Sequence, residues 1–164
     1  MPFFSTVAQN FEQLGFNGPE LAQHRAAARA VISEAVATRI LAPKESGTLV
    51  CSDVASGVIF TLPAPVAGMF FEFVVTTTIT TNNFRVNTDA ATTFILGAVL
   101  TYTAATASPA GFAFNGTSNV SFVANGTTTG GIAGTRIRFT ALSTNTWAID
   151  GTVLGSGVIT TPAV

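Results

Sequence analysis

The sequence predicts a mainly β protein: an antiparallel sandwich, jelly roll or barrel, preceded by an N-terminal arm and one long α-helix. Three observations predict it. From residue 46 onward, short runs rich in Phe, Val, Ile and Thr alternate with clusters of turn residues. An apolar stripe of helical period is confined to Pro19–Leu41. Of the 7 basic and 8 acidic residues, 8 fall within the first 45 positions, so the composition changes there. The 164 residues divide accordingly into an extended arm (1–18), a helix with its linker (19–45) and a β domain (46–164).

The arm carries Phe3, Phe4, Phe11, Leu14 and Phe16 without a sustained period and closes at Asn17-Gly18-Pro19. Disordered tails are poor in aromatics. Burying each Phe is worth about 1.5–3 kcal/mol, so these side chains need a surface, either the chain's own body or a neighbouring subunit. The helix is expected over Pro19–Leu41. Pro19 suits the first helical position, where a missing N–H costs nothing. Glu20 and Arg39 lie at the ends that favour their charges, and seven alanines between residues 22 and 37 supply propensity. Leu21, Ala28, Ile32, Ala35, Val36 and Ile40 form its apolar stripe, and Pro43 ends it. Such a helix would cross a sheet or lie between subunits. The expected assembly interface is therefore Phe3, Phe4, Phe11, Leu14, Phe16, Leu21, Ile32, Val36 and Ile40.

Nine strands follow, at Gly47–Ser52, Val58–Leu62, Phe70–Thr78, Phe84–Asn87, Phe94–Leu100, Gly111–Phe114, Val120–Ala124, Arg136–Leu142 and Trp147–Thr152. Arg136, Arg138 and Thr140 alternate with Ile137, Phe139 and Ala141, which gives one wet and one dry face. In Phe70–Val75 both faces are apolar except for Glu72. Asn115-Gly116, Asn125-Gly126 and Asp150-Gly151 read as hairpin turns. Threonine runs at 76–78, 80–81 and 127–129 suit a pleated, uncharged surface.

Composition narrows function. Only 9% of residues are charged, against about 25% in a typical soluble domain. A net charge of -1 without a basic cluster speaks against nucleic acid as a partner. No run reaches 18 apolar residues, so no membrane span is expected, and the start at Met1-Pro2-Phe3-Phe4 does not read as a signal peptide. Surfaces this poor in Lys usually belong to chains whose faces are covered by other protein, because free monomers keep charges against self-association.

Chemistry is hard to find. The single histidine, His24, has no carboxylate at i+4 and reads as a helix-surface or interface residue. Cys51, the lone cysteine, reads as a buried inert thiol. The β domain's carboxylates after Asp53 are Glu72, Asp89 and Asp150, with no motif pairing them for acid–base work. Glu72 reads as a salt-bridge partner of Arg85, Arg136 or Arg138. Gly130-Gly131-Ile132-Ala133-Gly134 lacks the Lys of a phosphate loop. Trp147 reads as core, with a sugar platform formed with Tyr102 as the competing reading. No enzyme, cofactor or metal is expected.

The segment Thr61-Leu62-Pro63-Ala64-Pro65-Val66-Ala67-Gly68-Met69 followed by Phe71–Val75 resembles one common in small β-rich structural proteins of tailed bacteriophages. The closing stretch, Gly134-Thr135-Arg136-Ile137-Arg138-Phe139 and then Thr144-Asn145-Thr146-Trp147-Ala148-Ile149, is similar to their ending. The resemblance covers about Gly47–Val153 and implies a virion structural protein, foremost a capsid decoration (cement) protein, with tail or fibre proteins as relatives. It implies a homo-oligomer, a trimer being favoured, that contacts the major capsid protein or other virion proteins at the capsid surface after assembly in the host cytoplasm. A carbohydrate-binding module is the alternative outside that family.

Overall fold

The fold is taken from a computed structural model that describes residues 30–103, 109–158 and 160–164. All eleven strands fall within the unit Val31–Val164. They are β1 (Val31–Glu34), β2 (Thr38–Ile40), β3 (Leu49–Ser52), β4 (Ile59–Thr61), β5 (Phe70–Val75), β6 (Phe84–Asn87), β7 (Phe94–Thr103), β8 (Ala110–Asn115), β9 (Ser121–Ala124), β10 (Arg136–Ala141) and β11 (Thr146–Gly155). Among the described residues, one 3-10 turn at Pro43–Glu45 interrupts them.

Two mixed sheets result. One has seven strands in the order β1-β3-β5-β10-β11-β7-β8, and the other has four in the order β2-β4-β6-β9. Through β6 the chain alternates between the sheets, and each return lands parallel to the strand laid down before. Val31 pairs with Leu49, and Leu49 with Glu72. In the smaller sheet Thr38 pairs with Ile59, and Ile59 with Arg85. The later strands close the structure differently: β10 inserts antiparallel between β5 and β11, β8 folds back on β7, and β9 runs antiparallel to β6. The expected all-antiparallel arrangement is thus corrected. Turn residues mark where strands stop, but here most turns carry the chain across to the other sheet.

The expected helix is also corrected where the structure describes it. Residues 31–40 form β1 and β2, while Leu21 and the rest of the proposed stripe before Ala30 lie outside the described residues, as do Phe3, Phe4, Phe11, Leu14 and Phe16. Val31, Ile32, Thr38 and Ile40 are β-branched, which lowers their helix propensity and suits a pleat. Pairing with β3 and β4 satisfies their backbone groups, and tertiary pairing outweighs the weak helical preference of the intervening alanines.

Both sheets send aromatic rings into one core. Phe60 and Phe84 of the smaller sheet lie 5.3 Å and 6.1 Å from Phe73 of the larger. Phe114 stacks on Phe122 across the same gap at 6.4 Å. Phe71 packs on Trp147 at 6.0 Å. At the far edge of the smaller sheet, the C-terminal residues close β9: Phe122 bridges Ala163, and Val120 and Ser121 both donate N–H groups to the carbonyl of Val164.

None of the three expected hairpin dipeptides makes a hairpin. Asn115 and Asn125 each open a turn of one design. Asn115 Oδ1 accepts the N–H groups of Thr117 and Ser118 at 2.9 Å. Asn125 Oδ1 accepts those of Thr127 and Thr128 at 2.9 Å. These loops leave one sheet for the other instead of reversing within it. Asp150-Gly151 lies inside β11, and the turn between β10 and β11 is built by Ser143 and Asn145. The threonine runs occupy loops too. Thr76 and Thr77 donate to Asp53, and the Thr78 hydroxyl accepts the Ala133 N–H. Their work is loop closure, not coverage of a pleat.

Candidate assembly surfaces

Among the described residues, β1, β2, β8 and β9 have a strand on one side only, and the C-terminal residues cover the open side of β9. The first two lie where both parallel ladders begin. Ile40 is 78% exposed there and Val31 62%, with Val36 exposed between them. Val36 and Ile40 are therefore accessible apolar residues, as an interface requires, although on a turn and a strand. Ile32 is not: it points inward and packs against the core.

Beneath these residues the end of the core is closed by charge. Glu34 is buried, and Arg39 pairs with it and with Glu45. Glu45 also accepts the Ala42 N–H at 2.7 Å. Inward-pointing charges at a sheet edge discourage indefinite strand addition. The Ala42 N–H holds the Glu45 carboxyl below its ordinary value of 4.5, against the opposing pull of burial and with help from Arg39. A lowered folded-state pKa stabilises above the unfolded value, and that contribution is lost as pH falls through the folded value. The thermal midpoint of the native chain should therefore exceed that of Glu45→Gln by a few degrees at pH 7, and the gap should close as pH drops below about 4.5. A gap that persists at pH 2.5 would show that the carboxylate's charge is not responsible.

The outer face of the seven-stranded sheet is the second surface. Its centre carries Glu72 and Asp150 with Arg136 and Arg138, around a shallow hollow of about 330 Å³. Glu72 is buried, and Arg136 grips its Oε1 through two nitrogens. The Arg138 guanidinium lies 4.4 Å from the centroid of the Phe70 ring, a cation–π geometry. Two carboxylates do line one hollow, as an acid–base site would need. One of them is neutralised by Arg136, and the hollow opens on a sheet face. Toward one edge the face is apolar: Leu96, Leu100 (50% exposed) and Tyr102 are all accessible. Cys51 lies on this face too, half-buried on β3 between Ser33 and Val74. Burial, and then Asp53, push its thiol above the usual range, which leaves little thiolate at neutral pH.

Compared with protein-family models, curated proteins and solved structures, the chain shows no significant match.

Trp147 is 0% exposed and packs on Phe71, as its reading as core expects, so it offers no stacking face; Tyr102 is exposed. No group of three or more His, Cys, Asp or Glu side chains placed to hold a metal occurs among the described residues, and none of their helices is long and apolar enough to cross a membrane. His24 lies outside the described residues. The sequence reading missed the outer face of β7. Its signal was there: Leu96, Ala98, Leu100 and Tyr102 alternate with Ile95, Gly97, Val99 and Thr101. Both sets are largely apolar, so alternation alone does not tell which face is open.

Proposed function

We propose that this chain is a virion structural protein, a capsid decoration protein whose β body is a two-sheet sandwich acting as a homo-oligomer. One observation carries the reading. A seven-stranded face with four charged side chains at its centre leaves Leu96, Leu100 and Tyr102 accessible, on a chain with only 9% charged residues. Interfaces take aromatic residues and Arg and shed Lys, and this face carries Arg136, Arg138, Phe70 and Tyr102 and no Lys. Many copies on a closed shell convert modest contacts into durable attachment. The Arg136–Glu72 pair and the buried Trp147 favour this reading over acid–base catalysis and over glycan binding. The test is fractionation of particles from the source of the sequence. The chain should sediment with filled heads and be absent from isolated tails. Recovery on tails alone would make it a tail or fibre module, and recovery only at the mass of free chains would end the virion reading.

A further inference from the structure

The four-stranded sheet carries a hollow of its own, about 320 Å³, at the end where β2, β4 and β6 begin. We propose that it binds one residue of an acidic sugar, with Arg85 holding the carboxylate and Thr38, Ser56, Asn82 and Asn83 meeting the hydroxyls. This goes beyond the virion reading and does not depend on it.

The parallel ladder builds the hollow. Thr38, Ile59 and Arg85 stand in one cross-strand row, and the turns entering the three strands gather beside it. The Ile59 N–H donates to the Ala37 carbonyl at 3.0 Å, and the Arg85 N–H to that of Val58 at 2.9 Å. The Thr80 N–H donates to the Ala55 carbonyl at 2.8 Å, which ties the turn before β6 to the turn before β4. Gly57 lets these two turns close: its φ is 74°, and a Cβ there would fall 2.5 Å from the Asn83 carbonyl oxygen. Side chains carried on paired strands and tied turns hold their positions better than those of a free loop.

The polar groups of this hollow are unspent. Among the described residues, Arg39 and Arg136 grip carboxylates and Arg138 lies over a ring, whereas the Arg85 side chain has no ion pair, hydrogen bond or ring contact. Asn87, Asn115, Asn119, Asn125 and Asn145 all use their side chains in hydrogen bonds within the protein. The side chains of Asn82 and Asn83 use none among the described residues, and they stand together here, with the equally unengaged hydroxyls of Thr38 and Ser56.

These groups select the ligand. One guanidinium supplies one positive charge in a fork that fits a carboxylate. No second cation lines the hollow, so a nucleic-acid backbone lacks the several contacts that hold it. Amides and hydroxyls both donate and accept, as sugar hydroxyls do, whereas the oxygens of sulfate only accept. Ile59, 38% exposed, offers an apolar floor to the C–H face of a ring. The volume lies at the lower end for ligand pockets, which suits a single ring. An acidic side chain of a partner protein would engage Arg85 and leave its four polar neighbours idle. Recognition of this kind needs no aromatic platform, so the burial of Trp147 does not bear on it.

The experiment is an NMR titration of the isotope-labelled full-length chain with methyl β-D-glucuronide. Methyl β-D-glucoside, acetate, sulfate and a tetraglutamate peptide serve as comparisons. The glucuronide should saturate with a Kd of about 1–10 mM, the range open to so small a ligand, and should move the Asn82 and Asn83 side-chain amides and the Arg85 Nε–H together. The glucoside, which lacks the charge, and acetate, which lacks the hydroxyls, should each bind at least about tenfold more weakly. Arg85→Gln should weaken the glucuronide by at least about tenfold, with circular dichroism confirming the fold. Should that variant fail to fold, the comparison of glucuronide with glucoside on the native chain decides alone. No saturation by about 50 mM, shifts that gather away from the hollow, or a glucoside bound as tightly as the glucuronide would overturn the proposal. Acetate or sulfate bound as tightly would reduce the hollow to a simple anion site, and tetraglutamate bound more tightly would make it a protein contact; either result overturns the sugar. All of these outcomes are read on the isolated chain, so recovery of the chain on particles fails or stands separately.

Discussion

Replacing Phe73 with alanine is expected to lower the unfolding free energy by about 3–5 kcal/mol. Phe73 is 1% exposed on β5, at the point where the two sheets meet. Its ring lies 5.3 Å from Phe60 and 6.1 Å from Phe84, both on the smaller sheet, and 5.8 Å edge-on from Phe139 on the adjacent strand. Truncation removes three aromatic contacts, each worth about 0.5–1.5 kcal/mol beyond area, and opens a cavity that rings held by two separate sheets are poorly placed to fill. Domains of this size hold about 5–15 kcal/mol in total, so a large part of the margin goes. Urea unfolding followed by Trp147 fluorescence is the measurement. Trp147 is the single tryptophan and is fully buried in the same core. Leu142→Ala, at a position 52% exposed, should fall within about 0.5 kcal/mol of the native chain and serves as the reference. A loss below about 1 kcal/mol for Phe73→Ala would mean that the two sheets do not depend on one core.

That core was legible before the fold was. All nine expected strands exist, and Phe84–Asn87 has the expected limits. The alternation of Arg136, Arg138 and Thr140 against Ile137, Phe139 and Ala141 reappears as exposed or half-buried against buried. A period of two is local, and local sterics decide it. Strand partnership is not local. Whether a turn reverses the chain within a sheet or carries it to the other sheet depends on where the next apolar face finds cover. Asn115-Gly116 and Asn125-Gly126 were therefore readable as turns and unreadable as crossovers. β1 and β2 were hidden for another reason. Ala28 and Ala35 complete a helical stripe through Ile32, Val36 and Ile40, yet three- and four-residue strands need only a paired neighbour. Val36 and Ile40 are accessible, on a turn and a strand instead of a helix. Arg138 and Asp150 became candidates only once register set them side by side.

Gly151→Ala is expected to cost about 2–4 kcal/mol, more than its single methyl group suggests. Gly151 lies within β11 at a φ of 153°, a backbone conformation L side chains rarely adopt. It pairs with Ile137 on β10 on one side and Val99 on β7 on the other. A Cβ there would fall 2.3 Å from the Arg136 carbonyl oxygen and 2.7 Å from the Ile137 Cα. These are backbone atoms of a central strand, so relief requires β10 to move. Gly97 repeats the arrangement one strand over, with a φ of 132° and a Cβ position 2.2 Å from the Ile149 carbonyl oxygen. Two glycines thus allow three central strands to approach closely. Gly111→Ala is the counterpart: it lies on edge strand β8, has no positive φ and would meet nothing within 4 Å, so its effect should stay within about 0.5 kcal/mol. Chemical denaturation of both variants beside the native chain checks the pair. Equal midpoints for Gly151→Ala and the native chain would show that β10 and β11 accommodate a side chain there, and the close approach would no longer explain why an Asp-Gly pair sits inside a strand.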